Sequence, residues 1–470
     1  MMKKLERAEF DERMKRGKCT PVYRTFLADR ETPVAAFSRL GEDEDAFLLE
    51  SVAGGETRGR YSYIGLEPYG EVQGEALEEL RDRFAEKGFV AAEELKGLQG
   101  GAVGYVAYDA VSGFEKRVKL EHEAGTPAMR FMLCDKLVVF DNVSSTVKIV
   151  VVSGDYDAAM AEIDKIHRRL LSAESIAEYM RTHAGDGMRR GKLGEFRPEM
   201  TAEEYEGIVR RCKEEILNGE VIQIVPSQKF TAECTISGLQ LYRALRVVNP
   251  SPYNFIMRIG GKTLIGSSPE ELVKLQGRTA STAPIAGTRR RGKRVEEDAA
   301  LEEELKHDEK ELAEHVMLVD LGRNDLGRVC ETGTVQVKGF AHVERYSHVM
   351  HLVTNVSGKL ERDRDAFDLL KAAFPAGTLS GAPKVRAMEL LAELEKSPRG
   401  IYGGAAGYFS YNGDMDFAIV IRTMILADGV LTMRAGAGIV ADSDPRKEYE
   451  ETVNKSRAIF EAAKFAEELI

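Results

Sequence analysis

The sequence predicts an α+β protein built of antiparallel sheets packed face to face, with helices on their outer faces. Two observations carry this expectation. Short apolar runs that read as strands recur along the chain. Segments of helical periodicity fall between them, and some neighbouring strands are close enough in sequence to be joined as hairpins, which makes the sheets antiparallel.

A chain of 470 residues has room for roughly two to four domains. The clearest boundary is the polar stretch THAGDGMRRGKLGEFRPEM, residues 182–200. It divides an N-terminal α+β domain over 1–190 from a second domain over 195–470. Hydrophobic residues make up 43% and charged residues 30%, which suits a globular chain with a sizeable core. No apolar run approaches the ~20 residues that span a bilayer, so no membrane partner is expected. The opening MMKKLERAEFDERMKRGK is charged throughout and lacks the apolar middle of a signal peptide, so a cytoplasmic location is expected. A net charge of −11 argues against a nucleic-acid partner. The five cysteines are scattered and form no C-x-x-C pair, so neither zinc nor a disulfide framework is indicated, and small core residues are expected.

Upstream, AFLLESV, GAVGYVAYDAV and DKLVVFD read as strands. Thr201 and Glu204 form a capping-box pattern that opens a helix. Tyr205, Ile208, Val209, Cys212, Ile216 and Leu217 continue it at helical spacing, and Asn218-Gly219 ends it. VIQIV follows as a strand closed by Pro226. YNFIMRI, TVQVKGF, HVMHLVTNV, FAIVIRTMIL and VLTMRAG are further strands, and a last helix begins near Glu448. RRRGKR (289–294), just before the acidic run 296–304, is expected to be a mobile charged loop rather than a nucleic-acid patch.

Two helices each carry a pair of glutamates at i and i+3: Glu311 and Glu314, then Glu448 and Glu451. Such pairs share a helix face. In the first helix Glu311, Glu314, His315 and Leu318 form one stripe, and Leu312, Val316 and Val319 form another that is expected to face the core. Either pair alone also reads as a solvated face, and Glu451 with Lys455 as an i,i+4 ion pair. Their recurrence admits a second reading, a Mg²⁺ site with one carboxylate from each helix and the remaining oxygens from an anionic substrate. PAGTLSGAPK (375–384) is a Gly- and Pro-broken loop entering a helix, a place suited to an anion, and AGAG (435–438) permits close backbone approach. Arg422, alone in FAIVIRTMIL, needs a partner if buried. GxGxxG and Walker patterns are absent, so a nucleotide is not favoured.

The blocks GEVIQIVPSQ, NPSPYNF, SSPEEL, PIAGTRRRG, KELAEHVMLVDLGRNDLGRV, YSHVMHLV, GTLSGAPKVRAMEL, YGGAAGYF, IVIRT and AGAGIV follow one another in order over 219–440. In these the chain resembles the chorismate-utilising enzymes, and within them the anthranilate synthase large subunits. LLES (48–51) and GAVGYVAYD (101–109) extend the likeness upstream. The resemblance implies the chorismate-binding fold and a lyase of tryptophan biosynthesis. Chorismate and ammonia would give an aminodeoxyisochorismate, which loses pyruvate to give anthranilate. It implies Mg²⁺ at the positions matching Glu314 and Glu451, with Glu311 and Glu448 nearby. Glu270 matches the general acid for the departing C4 hydroxyl, whose site should raise its pKa. Gly287, Thr288, Tyr402, Arg422, Gly436, Ala437, Gly438 and Lys455 match positions that hold the two substrate carboxylates. His351 matches a histidine beside the ring that could exchange protons in the elimination. Thr378 matches a neighbouring threonine.

Two positions speak to which member of the family this is. Relatives that add water carry Lys as general base where this chain has Gln223; ammonia needs no such base. Aminodeoxychorismate synthases commonly carry a nucleophilic Lys where this chain has Ala286. The folate-pathway enzyme, aminodeoxychorismate synthase component I, is the alternative reading. No cysteine suits a glutaminase, so the likeness implies a separate glutamine amidotransferase subunit (component II) and an assembly with two copies of each. It also implies tryptophan inhibition through Leu49, Glu50 and Ser51 of the N-terminal domain and Pro252 and Tyr253. Asn254, where the family usually has Met, puts a polar amide in place of an apolar contact.

Overall fold

The computed structural model describes residues 3–41, 45–51, 60–171, 191–346 and 349–469. Of the expected boundary, 182–190 lies outside them. Two antiparallel sheets, one of 11 strands and one of 10, organise the chain. The elements around the functional site are, in chain order, β1 (Ala46–Glu50), α1 (Ala202–Leu217), β2 (Gln223–Ile224), α2 (Gly238–Val248), β3 (Tyr253–Ile259), β4 (Lys262–Ser268), β5 (Glu271–Gln276), β6 (Ile285–Arg290), α3 (Glu309–Gly327), β7 (Val349–Lys359), α4 (Lys384–Leu394), β8 (Met415–Ile419), β9 (Thr423–Ala427), β10 (Val430–Gly436) and α5 (Pro445–Glu468).

Both sheets draw strands from both halves of the chain. In the larger, β1 pairs with β3, Leu48 opposite Ile256. In the smaller, Gly101–Val106 pairs with Ala405–Ser410. The division at 190/195 therefore separates no sheet from another. Alternation along Gly101–Val106 explains how the sheets stack. Val103 and Tyr105 enter one buried cluster with Phe47, Ile64 and Phe255 of the larger sheet. Ala102 and Val106 enter a second cluster with Phe367 and Phe409. Period two places these sets on opposite faces, so this strand is buried on both. Tyr242 and Leu245 of α2 and Ala462, Ala463 and Ala466 of α5 join the first cluster as outer helices.

The sheets are also tied covalently. Tyr61–Leu66 of the larger sheet leads into Gly70–Gly74 of the smaller, and Met129–Cys134 of the smaller into Lys136–Asp141 of the larger. In the same way β4 leads into β5 and β8 into β9. FAIVIRTMIL is thus two strands in two sheets, not one. The break falls at 420–422, where Arg422 adopts φ +49°, a left-handed conformation uncommon outside glycine.

Thr201 and Glu204 make both arms of the capping box of α1, at 3.2 and 2.7 Å. VIQIV narrows to β2, a two-residue ladder against Gly381–Ala382. In α3, Val316 is 52% exposed while His315 is fully buried and bonded to Thr354 Oγ1 at 2.6 Å. Of the expected core stripe Val319 is buried and Leu312 packs on a small buried cluster, but Val316 faces outward, and His315 takes an inner place because β7 offers its imidazole a hydroxyl. The RRRGKR segment is not a free loop. Arg289 and Arg290 end β6, and Arg289, Arg290 and Arg291 pair with Asp308, Glu297 and Asp298 at 2.6–2.8 Å. All five cysteines are free and buried. Among the described residues no helix is long and apolar enough to cross a membrane.

Candidate active site

Two strand crossings make the site. Glu270 stands where β4 becomes β5, Arg422 where β8 becomes β9, and both line one cavity of about 590 Å³. A strand that changes sheet turns a side chain from the core into the space between sheets. Glu311 and Glu314 of α3 line the same cavity, as do Glu448, Glu451 and Lys455 of α5. Gln223, Gly287, Thr288, His351, Thr378, Tyr402, Gly436 and Gly438 complete the sequence-derived set there. The two glutamate pairs, distant in sequence, thus meet across one space.

Glu270 is 8% exposed. Burial pushes its carboxyl up to about 7, against the pull of Thr378, Arg422 and Lys455. The Thr378 hydroxyl approaches Glu270 without closing a full hydrogen bond, and it is buried with no other partner among the described residues. Below about pH 7 Glu270 therefore holds its proton. Arg422 is half-buried, and burial disfavours its charge while Glu270 supports it. Its Nη1 donates to Asn249 Oδ1 at 3.5 Å, and its other N–H groups can serve an anion.

His351 Nδ1 lies 2.9 Å from Gly287 O and 3.1 Å from Thr288 Oγ1. A carbonyl only accepts, so Nδ1 carries the hydrogen and Nε2 keeps its lone pair. Burial lowers this imidazole's pKa, so it is neutral and ready to accept a proton. Gly287, at φ +65°, makes this contact at the register break in β6, where a Cβ would come 2.8 Å from Leu305.

The acidic end is built differently. Gln223 Nε2 donates to Glu314 Oε1 at 3.2 Å. Burial, then the charge of Glu314, pushes the Glu311 carboxyl up. Burial likewise raises Glu448, with Glu451 adding to it. Lys455 bonds Glu451 at 2.7 Å and Gly436 O at 3.1 Å, which links the acidic end to the glycine loop. Among the described residues no three Asp, Glu, His or Cys side chains come together closely enough to hold a metal unaided. A cation here would take a carboxylate from each helix and further oxygens from ligand or water, the coordination Mg²⁺ favours. The hard oxygen donors and their mutual repulsion fit that ion.

A cavity with a buried protonated acid, a neutral imidazole, a free guanidinium and facing carboxylates suits an anionic substrate that loses an oxygen. Residues 44–461 match the family of chorismate binding enzymes. The chain belongs to that family. It is 44% identical to anthranilate synthase component 1 of Acetivibrio thermocellus, covering 96% of each chain. It is 46% identical to that of Streptomyces coelicolor, covering 95% of this chain and 89% of the relative. Its fold superposes on anthranilate synthase component I from Streptococcus pneumoniae with a TM-score of 0.75 at 35% identity, covering 92% of this chain and 98% of that one. The menaquinone-specific isochorismate synthase from Escherichia coli shares the fold, with a TM-score of 0.75 at 19% identity and 95% of each chain covered.

One residue of the sequence-derived set stands apart in this chorismate-binding enzyme. Ala437 is fully buried in the core beneath α1, outside the cavity, and its N–H is taken by Pro226 O at 3.2 Å. Its flanking glycines line the space instead. Arg434 was missed. It lines the cavity from the apolar strand VLTMRAG, where a lone cation carries the same signal that singled out Arg422.

Leu49, Glu50, Ser51, Pro252 and Tyr253 all line a second cavity, of about 210 Å³, on the far side of β5. Glu270 faces the first cavity and Glu271 this one. Glu50 is buried against Tyr242 Oη at 2.5 Å and Arg246 at 3.2 Å. Tyr253 Oη donates within reach of Glu271 and Asp416, at 3.0 Å each. Asn254 is 1% exposed; its Nδ2 donates to Ser251 O at 2.6 Å, and its Oδ1 has no partner among the described residues.

Proposed function

We propose that this chain is the large subunit of an anthranilate synthase, a lyase that aminates chorismate with ammonia and then eliminates pyruvate. The observation that carries the reading is Glu270, a buried carboxylic acid held neutral near pH 7, facing the cationic Arg422 in one cavity. Arg422 and Lys455, with the backbone of Gly436 and Gly438, would hold the substrate's carboxylates. Tyr402 and Thr288 would close around them. Glu270 gives its proton to the C4 hydroxyl, which leaves as water. Neutral ammonia adds at C2 with its own lone pair, and the ammonium so formed returns a proton to the Glu270 carboxylate. His351 Nε2 then takes the C2 proton as the ring aromatises, and the C3–O bond to the enolpyruvyl group breaks. The enolate released takes that proton back at carbon to give pyruvate. Chorismate and ammonia thus become anthranilate, pyruvate and water.

Glu314 and Glu451, supported by Glu311 and Glu448, would hold Mg²⁺, which supplies charge neutralisation at the ring carboxylate. Gln223 supports ammonia over water as nucleophile: its amide, which donates Nε2–H to Glu314, is too weak a base to take a proton from water. Ala286 also lines the cavity and offers only a methyl group, which supports anthranilate rather than aminodeoxychorismate as product. The buried cysteines offer no glutaminase nucleophile, which supports a separate glutamine amidotransferase as the ammonia source; the family likeness supports an assembly of two copies of each subunit. The second cavity would take tryptophan as feedback inhibitor, with Asn254 lowering its affinity.

The test mixes purified chain with chorismate, ammonium at alkaline pH and Mg²⁺. Product fluorescence and mass should report anthranilate, and chelation should remove the activity. A folded chain that forms no product, or forms aminodeoxychorismate, overturns the assignment.

A further inference from the structure

Behind the cavity wall lies a buried ionic cluster that the mechanism does not use. Glu395 follows α4, and Arg399 stands four residues on; their side chains are 6% and 2% exposed. Neither lines the cavity. Arg399 spends four of its five N–H donors there. Nε and Nη2 donate to the two Glu395 oxygens at 2.9 and 2.6 Å, Nη2 also to Val225 O at 2.6 Å, and Nη1 to Leu379 O at 2.5 Å. Glu395 Oε1 accepts from both Ser227 N and Ser227 Oγ, at 2.8 and 2.9 Å. The guanidinium lies 4.4 Å from the Tyr108 ring and 5.9 Å from that of Tyr402.

The partners define the role. Val225 and Ser227 continue the segment of Gln223, and Leu379 follows Thr378. These two segments also zip to each other, Gln223 opposite Ala382 and Val225 N to Ser380 O at 3.0 Å. One side chain therefore grips the carbonyls of both segments, and its counter-ion grips the amide of one. A buried ion pair is weak support for stability as such, since apolar residues of like volume often serve equally well. What a guanidinium fork adds is direction, because its donors lie in one rigid plane.

We propose that Glu395 and Arg399 are positioning residues for the amination and elimination reaction, fixing Gln223 and Thr378 together against the bound substrate. This rests on the function proposed above. Misplacing a reacting group by about 1 Å costs about 100-fold in rate. The charged substrate-holding groups Arg422 and Lys455 make no contact with Glu395 or Arg399, and Tyr402 and Gly436 adjoin the clamp only by a ring face and a backbone pairing, so the loss should fall mainly on kcat.

Arg399→Lys keeps the charge and loses the fork. Expected is a fall in kcat of about 100-fold, with KM for chorismate within about threefold, measured at a temperature where circular dichroism shows the variant folded. Arg39→Lys, in the buried pair with Glu31 outside both cavities, is the control and should keep wild-type kcat. If Arg399→Lys fails to fold, Ser227→Ala, which removes one hydroxyl from the clamp, should still lower kcat several-fold at unchanged KM. Full kcat in whichever of the two folds, or an equal loss in the control, overturns the positioning role. A wild-type chain that turns over no chorismate overturns the functional reading and this inference with it.

Discussion

Glu270 shows how one side chain links stability to chemistry. Its carboxyl rises from 4.5 to about 7 because burial penalises the charged form, a differential of about 3 kcal/mol. The sign follows from linkage: the contribution is full below 4.5 and is lost as pH rises through about 7. Glu270→Gln removes this titration. Urea unfolding at pH 4.5 and pH 8 should show wild type losing about 3 kcal/mol relative to the variant. Equal pH dependence in the two proteins would refute the buried-acid assignment. Activity should follow the same proton. Expressed per neutral ammonia, kcat/KM should fall about tenfold per pH unit above pH ~7, and Glu270→Gln should be inactive across the range.

The glycine loop after β10 and the two acidic helices act together as elements. A Cβ at Gly438 would lie 2.6 Å from Gln223 Nε2, too close for the amide to keep its bond to Glu314. Gly438→Ala should therefore lower kcat by about tenfold or more while the melting temperature shifts by only a few degrees. Wild-type kcat in that variant would remove Gln223 from the mechanism. On α3 and α5, Glu314→Gln and Glu451→Gln should each abolish turnover without unfolding the protein, as read by activity and circular dichroism together. Elsewhere on α3, the exposed Val316 should tolerate Lys within about 0.5 kcal/mol. Periodicity alone had placed Val316 in the core. Four apolar residues and a histidine share this helix turn, and only the position of β7 decides which stripe is buried.

At the scale of the molecule, the sheets interleave the two halves of the chain. β1 lies inside the larger sheet between β3 and Tyr61–Leu66, and Gly101–Val106 lies inside the smaller one. A fragment covering 191–470 would expose strand edges and apolar faces in both sheets at once. It should not fold alone, and size-exclusion chromatography with circular dichroism should show an aggregated or unfolded product. A monomeric, folded fragment would mean that the shared sheets are dispensable. The same architecture sets the second cavity against the first. Glu270 and Glu271 are neighbours on one strand, so a ligand near Glu271 and Tyr253 is one residue from the acid.

Much was legible from the residues because local chemistry decided it. The capping box at Thr201 needs only its own four residues, and the paired glutamates announce themselves by spacing. Gln223 and Ala286 exclude a lysine by their identity. The fold class also followed from pattern, since apolar runs and helical periods are local signals. What pattern could not supply was where strands change sheets. FAIVIRTMIL reads as one continuous strand, but Arg422 breaks it at a positive φ and so reaches the cavity. Ala437, sharing a loop with two cavity-lining glycines, turns into the core because Pro226 already binds its amide. Sequence by itself determined which groups are available and how far each can reach. Tertiary structure decided which of them share a cavity, because burial and long-range pairing depend on residues hundreds of positions away.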